Sequence, residues 1–73
     1  MSIKLVNEST GMEIKIGDVV NDFRGGSNEL LHFYRKPAPS TGRVVIAEIG
    51  PEGERYDGRE VYPSVIGAKI VEY

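Results

Sequence analysis

The sequence predicts an all-β protein, a single domain over residues 1–73 with five or six short antiparallel strands wrapped into a small barrel. Three observations carry this reading. Apolar and polar residues alternate with period two across residues 3–16, β-branched side chains crowd into RVVIAEI (43–49), and turn residues recur roughly every ten positions. Closure is expected because a chain this short has little else with which to cover its strand edges.

Taken in order, Ile3 and Leu5 alternate with Ser2 and Lys4, NESTG (7–11) supplies a turn, and Met12, Ile14 and Ile16 alternate with Glu13 and Lys15. That pattern is a hairpin. Gly17-Asp18 interrupts it, after which Val19, Val20 and Phe23 form a second extended piece that ends in RGGSN (24–28). ELLHFYRK (29–36) suits two structures: Leu30, Leu31 and Tyr34 would share a helix face, whereas Leu31 and Phe33 would share a strand face. A helix stopped after eight residues by Pro37 falls short of the average of about eleven, and Phe and Tyr between turn residues favour a strand. PAPSTG (37–42) reads as a loop, since Pro37 and Pro39 fix φ and lack donors. RVVIAEI is the clearest strand and is expected to be central. GPEGERYDG (50–58) is an acidic, glycine-punctuated loop, and residues 59–62 resume an extended path before Pro63.

Composition narrows the function classes. At this size about 60% of the unfolded chain's surface is buried on folding, so the core is thin and self-association or very regular strand packing is expected to supplement it. There is no cysteine and a single histidine, which excludes a disulfide scaffold, a zinc ribbon and a thiol nucleophile. No stretch approaches the roughly twenty apolar residues of a membrane span, and MSIKLVNEST lacks the features of a secretion signal, so a cytoplasmic protein without membrane partners is expected. Nine Lys and Arg against eleven Asp and Glu give a net charge of −2, which disfavours a dedicated nucleic-acid binder.

YPSVIG followed by AKIVE (62–72) resembles the end of SH3-like barrels, in which a Phe/Tyr-Pro-Ser segment makes one 3₁₀ turn before the last strand. The resemblance makes physical sense: Pro63 starts the turn, Ser64 is placed to bond a nearby N–H, and Val65 or Ile66 drops into the core. KIGDVV (15–20) resembles the opening strand of SH3-like and KOW-type barrels. DFRG (22–25), PSTGRV (39–44) and YPSVIGA (62–68), in that order, are similar to a group of very small proteins of tailed bacteriophages, which implies the cytoplasm of an infected bacterium as the setting. This resemblance brings no catalytic residues with it. The chain departs from signalling SH3 domains in having no tryptophan, so recognition of proline-rich ligands is not expected.

Candidate chemistry is sparse. His32 is the only imidazole on which a triad or metal site would be built, and on an alternating strand it reads as an ordinary half-exposed side chain. Glu52, Glu54, Asp57 and Glu60 do not have the spacing of a calcium loop. Arg24-Gly25-Gly26 is one copy of an element that works in repeats, and PSTGR precedes a strand where a phosphate loop precedes a helix. No enzyme, metal or cofactor is therefore expected.

If residues 29–36 and 43–49 pair antiparallel, Arg35, Lys36 and Arg43 converge with Tyr34 at one end of that hairpin, opposite an acidic end holding Glu48, Glu52, Glu54, Asp57 and Glu60. Tyr34, Arg35, Lys36 and Arg43 are thus the expected partner-binding residues, and Tyr56 and Tyr62 join them if they share that end. The function expected is a non-catalytic, phage-encoded module that binds a host or phage protein, with KOW-type relatives pointing to transcription or translation machinery such as RNA polymerase. The alternatives are a nucleic-acid-binding barrel using the same residues and a structural or self-assembling virion-associated subunit.

Overall fold

The alternation in the first residues builds a hairpin between β1 (Ile3–Asn7) and β2 (Glu13–Ile14), with Leu5 opposite Ile14. Asn7 closes it, its side-chain carbonyl accepting from the Ser9 and Thr10 amides at 2.8 and 3.0 Å. The computed structural model describes residues 2–35 and 42–73. Its remaining strands are β3 (Val19–Asn21), β4 (Ser27–Tyr34), β5 (Arg43–Glu48), β6 (Arg59–Val61) and β7 (Ala68–Glu72).

The all-β class stands, but the strand count and closure are corrected. Seven strands lie in two antiparallel sheets, ordered β2-β1-β7 and β3-β4-β5-β6, rather than in one closed sheet of five or six. The reason is the Lys15–Asp18 turn. The Asp18 side chain accepts from the Lys15 amide at 2.9 Å, the Asp18 amide donates to the Lys15 carbonyl at 2.9 Å, and Gly17 takes φ +96°. This bend leaves β2 beside β1 and passes β3 to β4. The extended piece also ends sooner than its sequence suggests: β3 stops at Asn21, and Phe23 lies in the turn closed by the Gly25 amide on the Asp22 carbonyl at 3.0 Å.

Residues 27–34 are a strand, and the run from Arg43 lies between β4 and β6 as expected. A bulge at Leu31 shifts the register, pairing Leu30 with Ile46 but His32 with Val45 and Phe33 with Val44. The shift reverses the facing of everything beyond it, so Leu30 and Phe33 both point inward, in place of Leu31 and Phe33. The core is Leu5, Val20, Leu30, Val44, Ile46, Ile66 and Ala68, with Ile14, Phe33, Val61, Val65 and Ile70 at its margin.

Pro63–Ile66 forms the 3₁₀ turn ahead of β7, with Pro63 at its start and Gly67 ending it in the left-handed region. Pro63 and Ile66 are the residues it buries, while Val65 is half-buried. β7 then pairs with β1 along its full length, from Ala68 opposite Asn7 to Glu72 opposite Ile3. The loop expected over 37–42 lies outside the described residues except for Gly42. Among the described residues, no helix is long and apolar enough to cross a membrane.

Two positions give direct tests of this packing. Gly42 has φ +89°, and a Cβ there would sit 2.7 Å from Ile70 Cδ1 and from the Tyr34 carbonyl, whereas Gly25, at φ +82°, faces open space. Gly42→Ala is expected to destabilise by more than the roughly 1–2 kcal/mol of backbone strain that Gly25→Ala incurs, read from paired chemical-denaturation curves. Asp22, its side chain 6% exposed, accepts from the Gly26 and Arg24 amides at 2.9 Å each and from Asn28. The Gly26 amide leads in holding its carboxyl below the ordinary value of 3.8, with the Arg24 amide, Asn28 and Arg59 adding to it. A depressed folded pKa contributes stability that is complete above 3.8 and is lost as pH falls through the lower folded value. Melting temperature should therefore drop in that acid window, and Asp22→Asn should flatten part of the drop.

Candidate functional site

The bulge that sends Phe33 inward sends His32 and Tyr34 to the outer face of the four-stranded sheet. There His32 lies opposite Val45, which lies opposite Glu60, and Tyr34 lies opposite Arg43. The His32 and Tyr34 rings stack, with centroids 6.0 Å apart and planes inclined by 25°. The Tyr34 hydroxyl donates to the Glu60 carboxylate. Glu60 also faces the Arg43 guanidinium at 3.8 Å, and that guanidinium lies 4.2 Å from the centre of the Tyr62 ring. The result is a continuous patch of three rings and one ion pair, with Tyr62 55% exposed at its rim.

Of the four residues expected to bind a partner, Tyr34 and Arg43 meet here. Arg35 follows β4 and forms an ion pair with Glu72 at the end of β7. Lys36 lies outside the described residues. Of the other tyrosines, Tyr62 joins the patch and Tyr56 does not: its hydroxyl donates to Glu54 at 3.2 Å and its amide to the Glu48 carbonyl at 3.0 Å, in the 50–58 loop.

Sequence reasoning places Glu60 with the acidic end. In the structure β6 runs back along β5 and carries it to Arg43 instead. His32, read as an ordinary strand residue, is part of the patch because of the bulge. For Glu60 the one sequence signal was the spacing of β5 and β6 across a long loop, which permits an antiparallel return but does not set its register.

Two further arginines are also paired. Arg55 Nε meets Glu29 at 2.6 Å, tying the 50–58 loop to β4, and Arg59 reaches Asp22 at 3.5 Å. Glu54 stays in its own turn, its carboxyl held down by its own amide and that of Glu52. Among the described residues, no three His, Cys, Asp or Glu side chains come together as a metal site would require. What the patch offers chemically is flat aromatic area with an oriented guanidinium–carboxylate pair.

Comparison with known proteins gives no match: no family model fits the chain, and no curated protein or solved structure is significantly similar to it.

The Tyr34–Glu60 contact has a measurable signature. The hydrogen bond to the Glu60 carboxylate, joined by burial and the Glu60 charge, raises the Tyr34 phenol above its ordinary value of 10.0. A raised folded pKa means that its stabilising contribution is whole below 10.0 and fades as pH rises through the folded value. Glu60→Gln should move the Tyr34 titration back toward 10.0, seen as an earlier phenolate transition in a tyrosine absorbance or NMR titration.

Proposed function

We propose that this chain is a non-catalytic protein-binding module with an SH3-like fold, and that it engages its partner through the outer face of β4, β5 and β6. The observation that carries the proposal is Arg43, stacked on Tyr62 and facing Glu60 beside the Tyr34–His32 pair. Tyrosine and arginine dominate the energetics of protein interfaces, and a guanidinium already oriented by a ring and a carboxylate loses little freedom on binding. The SH3-like reading is supported by the pairing of first strand with last, the β4-β5-β6 meander and the 3₁₀ turn before β7.

The setting proposed is a tailed bacteriophage, in the cytoplasm of the infected cell, with host transcription or translation machinery such as RNA polymerase as the first candidate partner. This part rests on the resemblance of DFRG, PSTGRV and YPSVIGA to phage proteins and on analogy with KOW-type domains. A protein partner is favoured over nucleic acid because Arg35, Arg43, Arg55 and Arg59 each face a carboxylate. Phosphate binding draws on cations that are available to release counterions.

Immobilised wild-type protein is expected to retain a specific protein from bacterial lysate, identified by mass spectrometry. Tyr62→Ala should weaken that capture by at least about tenfold, at unchanged thermal stability, while Glu8→Lys on the far hairpin leaves it intact. Recovery of no partner by folded bait would sink the reading. Single-stranded DNA and RNA titrations at low salt should be flat, and a steep salt-dependent affinity lost in Arg43→Glu would instead support a nucleic-acid-binding barrel.

A further inference from the structure

The one aspartate that precedes a glycine lies where the pairing of β5 with its return strand takes up an extra residue. Asp18 is followed by Val19 and Asp22 by Phe23, whereas Asp57 is followed by Gly58. Ile49 bridges Arg55 and Ile46 pairs with Arg59, so residues 47 and 48 on one side face residues 56–58 on the other. The Tyr56 amide is tied to the Glu48 carbonyl at 3.0 Å, and Asp57-Gly58 carries the surplus. Both residues are exposed, and among the described residues neither the Asp57 carboxylate nor the Gly58 amide has a hydrogen-bond or ion-pair partner. The other two aspartates are engaged: Asp18 accepts from the Lys15 amide, and Asp22 from the Gly26 and Arg24 amides. Close packing favours glycine at position 58, since a Cβ there would stand 3.0 Å from Leu31 Cδ1 and 3.4 Å from Val45 Cγ1.

We propose that Asp57 is a site of spontaneous isoaspartate formation, and that the conversion dislodges β6 from its register on β5. The Gly58 nitrogen attacks Cγ of the Asp57 carboxylic acid. A C–N bond forms, the nitrogen gives up its proton, and the acid's hydroxyl leaves as water, closing a five-membered imide. Glycine favours the attack because it has no side chain to shield its nitrogen and adopts a wide range of backbone angles. At Asp57 no hydrogen bond has to break first, whereas Asp18 and Asp22 would have to leave the amides they hold. Water then adds back at either imide carbonyl. Opening at Cγ restores aspartate; opening at the α-carbonyl routes the main chain through Cβ and Cγ, which leaves the mass unchanged and lengthens the backbone by one carbon. That carbon enters between the anchor at Tyr56 and the pair formed by Ile46 and Arg59. Glu60 and Tyr62, which meet Tyr34 and Arg43, follow directly. The change acts on β6 itself, whatever the outer face binds.

Folded wild-type protein held for several weeks at neutral pH and physiological temperature is the test. Peptide mapping is expected to find a second form of the segment around residue 57, identical in mass, resistant to the protease that cuts before aspartate, and able to accept methyl groups from S-adenosylmethionine through isoaspartyl methyltransferase. Asp57→Glu keeps the charge but would have to close a six-membered imide, a far slower step, and should abolish the signal. Circular dichroism checks that this variant is folded. The isoaspartyl form, separated by ion-exchange chromatography, should differ from fresh protein in the NMR amide shifts of β6 and Tyr62 while those of β1 and β7 stay in place. Its Tyr34 titration should move toward 10.0, as in Glu60→Gln. Absence of isoaspartate at residue 57 overturns the proposal, as does methyl acceptance that survives Asp57→Glu, or an isoaspartyl form whose β6 shifts and Tyr34 titration are unchanged.

Discussion

A single extra residue in β4 governs how this small protein divides its side chains between inside and outside. Leu30 and Phe33 are three positions apart, an odd spacing that puts residues on opposite faces of a regular strand. The bulge at Leu31 cancels that mismatch. Both side chains then reach the core that Val44 and Ile46 offer from β5, and Leu31 is left 39% exposed as the unpaired residue. The structure follows the larger apolar burial. Facing Phe33 outward would expose a ring worth about 1.5–3 kcal/mol when buried, against the local loss of ladder regularity at one residue.

The same shift produces the outer face. Because Phe33 turns in, Tyr34 and His32 turn out together, and Tyr34 arrives opposite Arg43 rather than above the core. The long 50–58 loop returns β6 on the far side of β5, where Glu60 and Tyr62 complete the patch. Core packing and the aromatic outer face are therefore two outcomes of one register, and a change that removed the bulge would dismantle both.

The two open-edged sheets reflect a second constraint, the turn at Gly17-Asp18. A chain that continued straight from β2 into β3 would extend a single sheet. The bend instead separates them, so that residues from both sheets close over Leu5, Leu30 and Ile66 while β3 keeps an unpaired edge.

Much of the fold was legible in the chain. Alternation marked β1 and β2, β-branched crowding marked β5, and Pro63 marked the start of the turn before β7, because each of these signals is local and acts through a few residues' own backbone preferences. The bulge at Leu31, the bend that splits the sheet, and the arrival of Glu60 at Arg43 were not legible. Leu30, Leu31 and Phe33 are all apolar, so the sequence permits either facing, and only the competition for space against Val44 and Ile46 selects one. Glu60 likewise looks acidic among acids until the register of β6 on β5 assigns its neighbour. Local chemistry determined which segments extend and where they turn; contacts between segments distant in sequence decided which side of each strand faces the core and which side faces outward.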